Sequence, residues 1–208
     1  MEDQKPERWN ALMSQQQMGK HVDEIVNRYR GASKEHLDAG THWYERAHEI
    51  ATKLGSGDAR KGAGVISALS PLTNWDLNIR RAHELVKTGD TKSMSYNQTV
   101  GKAKRILAGE NPDELFDEKS GPKTHSFFHN IANPANPIPV TIDRHAYDIA
   151  VGQKGALDDR GGKLKGARYA HFADAYRNAT HKLGLEVPNQ VQAVTWTTQP
   201  KGRGLRSE

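Results

Sequence analysis

Apolar residues recur along this chain at spacings of three and four, and that rhythm predicts helices over most of its length. His21 to Arg30 carries Val22, Ile25, Val26 and Tyr29 on one side, the pattern of a short amphipathic helix. Ser33 offers an N-cap for a helix running to Leu54, with Trp43, Ala47, Ile50, Ala51 and Leu54 as its stripe and Gly55 as its stop. Residues 58–69 are apolar almost all round, which predicts a buried central helix whose glycine and alanines allow close packing. Ser70-Pro71-Leu72-Thr73 breaks it, and Thr73 can cap a helix through Trp75, Ile79, Ala82, Leu85 and Val86 that Gly89 ends.

The rhythm continues beyond the middle of the chain. Asn97 can cap a helix through Val100, Ala103, Ile106 and Leu107 that stops at Gly109, and Asn111-Pro112 opens a short one with proline at its first position. Pro122–Ala132 reads as helix, carrying Phe127, Phe128 and Ile131. Pro134, Pro137 and Pro139 then forbid regular helix, because each removes a donor and fixes φ. Helix resumes from Asp143 to Val151, with a carboxylate at its favoured N-terminal end. Residues 152–166 read as a polar, glycine-bearing loop, 167–183 as a helix with Tyr169, Phe172, Ala173 and Tyr176, and Pro188 starts a last helix through Val191, Val194 and Trp196. The result is an all-α chain of eight or nine helices without an internal repeat.

Composition narrows the classes. The 208 residues suffice for one large domain or two intimate lobes, but only 35% are hydrophobic, so part of the length is expected to be solvated. A net charge of +5 points to an anionic partner, nucleic acid first, although a soluble protein that happens to be basic fits charge alone equally well. The absence of cysteine excludes disulfides, thiolate zinc sites and iron–sulfur clusters. No run approaches the ~20 apolar residues of a membrane span, and the polar start Met1-Glu2-Asp3-Gln4-Lys5-Pro6 lacks a signal-peptide segment. A cytoplasmic protein without membrane partner or cofactor is expected. His125 and His129 have metal-compatible spacing, but no third ligand falls in register, so no metal site is assigned.

Chemistry concentrates on two short segments. Lys123 lies in Ser120-Gly121-Pro122-Lys123-Thr124 at the start of a helix, and Asp143 lies in Val140-Thr141-Ile142-Asp143-Arg144-His145 after the proline-rich loop. An amine and a carboxylate in constrained backbone, facing each other across a cleft, suit attack on a glycosidic carbon. Upstream lie the buried segment with Ser67-Ala68, the helix with Trp75 and Asn78, and the basic run Gly101-Lys102-Ala103-Lys104-Arg105-Ile106-Leu107. In order and spacing, this middle half of the chain resembles the helix-hairpin-helix DNA glycosylase superfamily of the endonuclease III type. It is also similar to phage-encoded relatives, some tied to thymine hypermodification in phage DNA.

The resemblance implies an all-α, two-lobed fold and a set of roles. Asp143 matches the catalytic aspartate that stabilises an oxocarbenium-like sugar, and Lys123 the lysine nucleophile of the bifunctional members. Gly121 matches a hairpin glycine whose N–H approaches a DNA phosphate. The candidate DNA-binding residues are Gly121, Thr124, Lys102, Lys104, Arg105, Arg144, His145, Trp75 and Asn78. The implied organisation is a polar arm (1–19), a terminal lobe (20–55 with 137–200), a central lobe with the hairpin (56–136) and a basic tail (201–208).

Two departures stand out. The first hairpin glycine falls at Lys119, and Asp117-Glu118 put carboxylates where they repel a phosphate. The glutamine of the buried-helix motif is replaced around Ser70-Pro71-Leu72, among the residues that fill the vacated base stack. Three functions follow: glycosidic-bond cleavage on an extruded base, modification of a hypermodified pyrimidine in phage DNA, or a non-catalytic module that binds DNA or a host protein.

Overall fold

A computed structural model describes residues 11–91, 97–152 and 164–198. The expected tail at 201–208, most of the 152–166 loop and the start of the polar arm lie outside the described residues. Those described form eleven helices and no strand: α1 (Ala11–Arg30), α2 (Lys34–Thr41), α3 (Trp43–Leu54), α4 (Ala59–Leu69), α5 (Trp75–Thr88), α6 (Asn97–Leu107), α7 (Pro112–Leu115), α8 (Pro122–Ala132), α9 (Arg144–Val151), α10 (Gly166–Lys182) and α11 (Pro188–Thr197). The fold is all-helical, as the apolar rhythm predicts. No helix among the described residues is long and apolar enough to cross a membrane.

Local chemistry places most helix ends. Asp58, Asn111 and Asp143 each cap a helix, the Asp143 carboxylate accepting the Ala146 N–H at 2.8 Å. Gly89 and Gly152 close α5 and α9 at positive φ. α5 starts one residue later than expected: Asn74 accepts the Leu77 N–H, while the Thr73 hydroxyl donates to Pro71 O and accepts from Arg81.

Two expectations are corrected. Residues from Ala11 onward belong to α1 and not to a loose arm; glutamine and methionine sustain a helix without showing a full apolar stripe, and Met18 packs on the core. The helix expected from Ser33 to Leu54 divides at His42. The reason is packing: α2 leans on α11 so closely that a Cβ on Gly40 would overlap the Val194 backbone, whereas α3 turns to lie on α4.

Two hydrophobic cores result. The first surrounds α4, every residue of which from Gly62 to Leu69 is buried, and is completed by α3, α5, α6, α7 and α8. Its tightest contact joins α3 to α4, where a Cβ on Gly62 would overlap the Ala51 carbonyl. α3 therefore belongs with the central helices, not with the terminal lobe that 20–55 implied. The second core joins α1, α9, α10, α11 and the extended residues 140–142.

A polar seam lies where the cores meet. Tyr44 donates to Gln192 at 3.1 Å, Asn130 to Thr141 at 2.9 Å, and Asn189 to the Pro134 carbonyl at 2.9 Å. Irregular backbone in this seam needs outside partners. The Tyr169 hydroxyl accepts from Ile142 N–H at 3.1 Å and donates to Val140 O at 2.8 Å, and Tyr176 donates to Ala146 O at 3.1 Å.

Candidate functional site

Helix α8 connects the hairpin to the seam. On an α-helix, residues three and four apart share a face, so Lys123, Ser126, Phe127 and Asn130 form one row. Asn130 holds Thr141. One turn earlier, Ser126 interacts with the Tyr169 phenol, the group that also holds the Ile142 amide. Lys123 continues the row one further turn toward the helix start, and Asp143 follows Ile142. Lys123 is exposed and Asp143 half-buried.

Asp143 is bordered by three tyrosines that the sequence reading treated as core or passed over. Burial raises the pKa of Tyr44, Tyr169 and Tyr176, and the Asp143 charge raises all three further; Tyr169 is pushed up to about 12. They stay neutral over the physiological range, and their hydroxyls hold Gln192, the backbone of Val140 and Ile142, and Ala146 O. Their helical spacing at 169 and 176 is the signal of a core stripe, so nothing in the sequence marked them as neighbours of Asp143.

The hairpin is formed by α7, the turn at 116–121 and α8. Asp117 organises it: Oδ1 accepts from Lys119 N–H at 3.1 Å, Oδ2 from Ser120 N–H at 3.0 Å, and the Asp117 carbonyl accepts from Gly121 N–H at 2.9 Å. Hydrogen bonds from Ser120 and Lys119 hold its carboxyl below the usual carboxylate range. The acidic turn therefore carries its own anion, seated on amides that a phosphate would otherwise meet. A Cβ on Gly121 would rest in ordinary contact with Asp117 O, at 3.7 Å. Gly121 and Thr124 line a cavity of about 140 Å³ together with Pro71, Lys102, Phe116 and Ser120.

The remaining candidates separate into surface and structural groups. Lys104 and Arg144 are exposed, and His145 is half-buried beside Asp143 in sequence. Lys102 donates to Leu115 O at 2.9 Å and lies over the Phe116 ring, so it caps the short α7 before it can serve a phosphate. Arg105 is held by Glu110 through Nε and Nη2. Trp75 is half-buried with its ring 4.8 Å from that of Trp43, which itself neighbours Phe127 and Trp196. Asn78 is corrected outright: it is 2% exposed and donates to Ile66 O at 3.0 Å, which excludes a DNA contact and makes it a brace at the α4–α5 break.

The histidine pair does not extend to a metal site. The His125 and His129 rings lie 4.4 Å apart, tilted by 59°, and His129 Nε2 lies 3.2 Å from Asp113 Oδ1, with Arg60 paired to the same carboxylate. No group of three metal-ligating side chains occurs among the described residues.

The molecule is thus all-helical, with two cores joined at a polar seam and Asp143 capping the helix that follows the extended residues 140–142. Residues 8–203 match the model of the Family of unknown function (DUF7178), which covers most of the chain, and the chain belongs to that family. No curated protein and no solved structure matches it.

Proposed function

We propose that this chain binds DNA across the hairpin and the seam and cleaves the glycosidic bond of an extruded nucleotide, in the manner of a DNA glycosylase with lyase activity. The observation that supports the reading is the packing of α8 on residues 141–142 through Asn130, since Lys123 lies on that row of α8 and Asp143 directly follows Ile142. The cavity lined by Gly121 and Thr124 and the exposed cations Lys104, Lys123 and Arg144 add a path for phosphates.

The chemistry assigns each group a task. The Asp143 carboxylate faces the positive charge that grows on the sugar as the bond to the base lengthens. The neutral Lys123 amine bonds to C1′, the C1′–N bond breaks, and the base leaves with the bonding pair and takes up a proton. Loss of the ammonium proton and opening of the C1′–O4′ bond, with a proton delivered to O4′, then give a Schiff base. The tyrosines hold the Asp143 segment and take no part in proton transfer.

A second reading, a DNA-binding module without turnover, is favoured by the Asp117 carboxylate seated in the hairpin. One experiment separates the two. The protein is incubated with duplexes containing uracil, hydroxymethyluracil, oxidised pyrimidines or alkylated purines, with and without borohydride. A covalent adduct present in the wild type and absent from Lys123→Ala is expected. Base release that survives Asp143→Asn would overturn the mechanism, and duplex binding at low salt with no turnover on any substrate would establish the module.

A further inference from the structure

His125 and His129, one turn apart on α8, take no part in the function proposed above. The helical period sets them on a different face from the row of Lys123, Ser126, Phe127 and Asn130. There His129 Nε2 meets Asp113 Oδ1 of α7 at 3.2 Å, and Arg60 of α4 pairs with Oδ2 of the same carboxylate. The Arg60 guanidinium also lies 5.2 Å from the centre of the Phe128 ring on α8. One carboxylate therefore ties three helices together.

α7 depends on such ties, because a helix of four residues has no stability of its own. Burial of Leu115 and the bond from Lys102 to its carbonyl fix the end of α7, and Asp113 fixes its first turn from outside. The chain passes straight from α7 into the turn that Asp117 organises. Whatever lifts α7 therefore loosens that turn as well.

The tie suits a neutral imidazole. In the neutral tautomer that fits the contact, His129 donates from Nε2 to Asp113, and Nδ1 carries no proton. A second proton charges a half-buried ring that stands 4.4 Å from the His125 ring and 4.9 Å from that of Phe128, and sets it against Arg60 for one carboxylate. The charged groups that act on it are His125 on α8, Asp113 on α7, Arg60 on α4 and Glu118 in the turn. His48 of α3 meets α8 further along, at the Ile131 carbonyl. Burial first, then His125 and Arg60, hold His129 below its ordinary value, against the pull of Asp113 and Glu118. The stability it contributes is thus full above 6.5 and is lost as pH falls below that value.

We propose that Asp113, His129 and Arg60 form a proton-released latch, which holds α7 and the hairpin turn against α4 and α8 at neutral pH and lets them open locally in mild acid while the first core stays folded. The latch is independent of what the hairpin binds.

The test is amide hydrogen exchange of the full chain at about pH 7 and about pH 5.5, corrected for the intrinsic rate, with the buried amides of α4 as the internal reference. Residues 113–121 are expected to lose protection by about threefold or more in acid relative to α4. His129→Gln keeps an amide donor for Asp113 but cannot titrate, so it should hold the same protection at both pH values. His125→Gln removes the neighbouring charge and should shrink the acid loss. Equal protection at both pH values in the wild type, or a loss that α4 shares in full, would overturn the latch. So would an undiminished loss in His129→Gln; should that variant fail to fold, an undiminished loss in His125→Gln decides against it in the same way.

Discussion

The Tyr169 hydroxyl, buried on α10, donates to Val140 and accepts from Ile142, and so stands in for a strand partner to the backbone that carries Asp143. Replacing it by phenylalanine keeps the ring's packing and strands both backbone groups away from water. Leaving buried groups unpaired costs about 1–3 kcal/mol each, so Tyr169→Phe should lower stability by about 2–4 kcal/mol in urea titration. A loss below about 0.5 kcal/mol would mean that the segment finds another partner. At this scale sequence was informative where motif and cap coincide: Asp143 is a cap by its own chemistry and a candidate catalyst by its neighbours. It was misleading for Asn78, because an asparagine on an amphipathic helix looks like a solvent residue until a broken helix nearby leaves a carbonyl for it to pair.

Helix packing turns on glycines that look alike in the sequence. Gly62 sits where α3 and α4 bring their backbones together, and an added Cβ would overlap the Ala51 carbonyl. Gly101, on α6, has nothing within 4 Å of that position. Gly62→Ala should therefore destabilise by about 3 kcal/mol, whereas Gly101→Ala should stabilise by about 0.5–1 kcal/mol through helix propensity. Thermal melts of the two variants check both signs, and equal effects would contradict the packing described. The helices themselves were legible, because the opening at Asn111, the carboxylate of Asp143 and the stop at Gly89 mark limits in residue chemistry. The break at His42 was not, since it arises from the approach of α2 to Val194, far along the chain.

For the molecule as a whole, a buried pair links the first long helix to the tenth: His21 Nδ1 lies 2.9 Å from His171 Nε2, with Phe172 against both rings. One ring donates and the other accepts, so the pair is satisfied without net charge. Burial, with the charges of His171 and Lys20 adding to it, lowers the pKa of His21 to about 4; burial also lowers that of His171, against the pull of Asp174. Between the unfolded value of 6.5 and about 4, the unfolded chain binds more protons than the folded one. Stability contributed by His21 is therefore full above pH 6.5 and is lost as pH falls toward 4, by up to about 3 kcal/mol. Urea midpoints at neutral and mildly acid pH should show this decline, and His21→Phe should flatten it; an unchanged slope in the variant would contradict the assignment.

The resemblance implied a terminal lobe that included α3, but α3 packs on α4, in the first of the two cores. The first core draws on a nearly unbroken run of chain from Tyr44 to Ile131, with Ala193 its one late contributor among the described buried residues, and its contacts can form as that run emerges from the ribosome. The second has no such convenience. The apolar side of α1 must wait for partners as distant as the 150 residues between His21 and His171, so its loop closure is the slow, entropically demanding step of folding. Newly made chains would then pass through a state in which α1 stands open beside a finished first core, and aggregation during synthesis would begin at Val22, Ile25 and Val26.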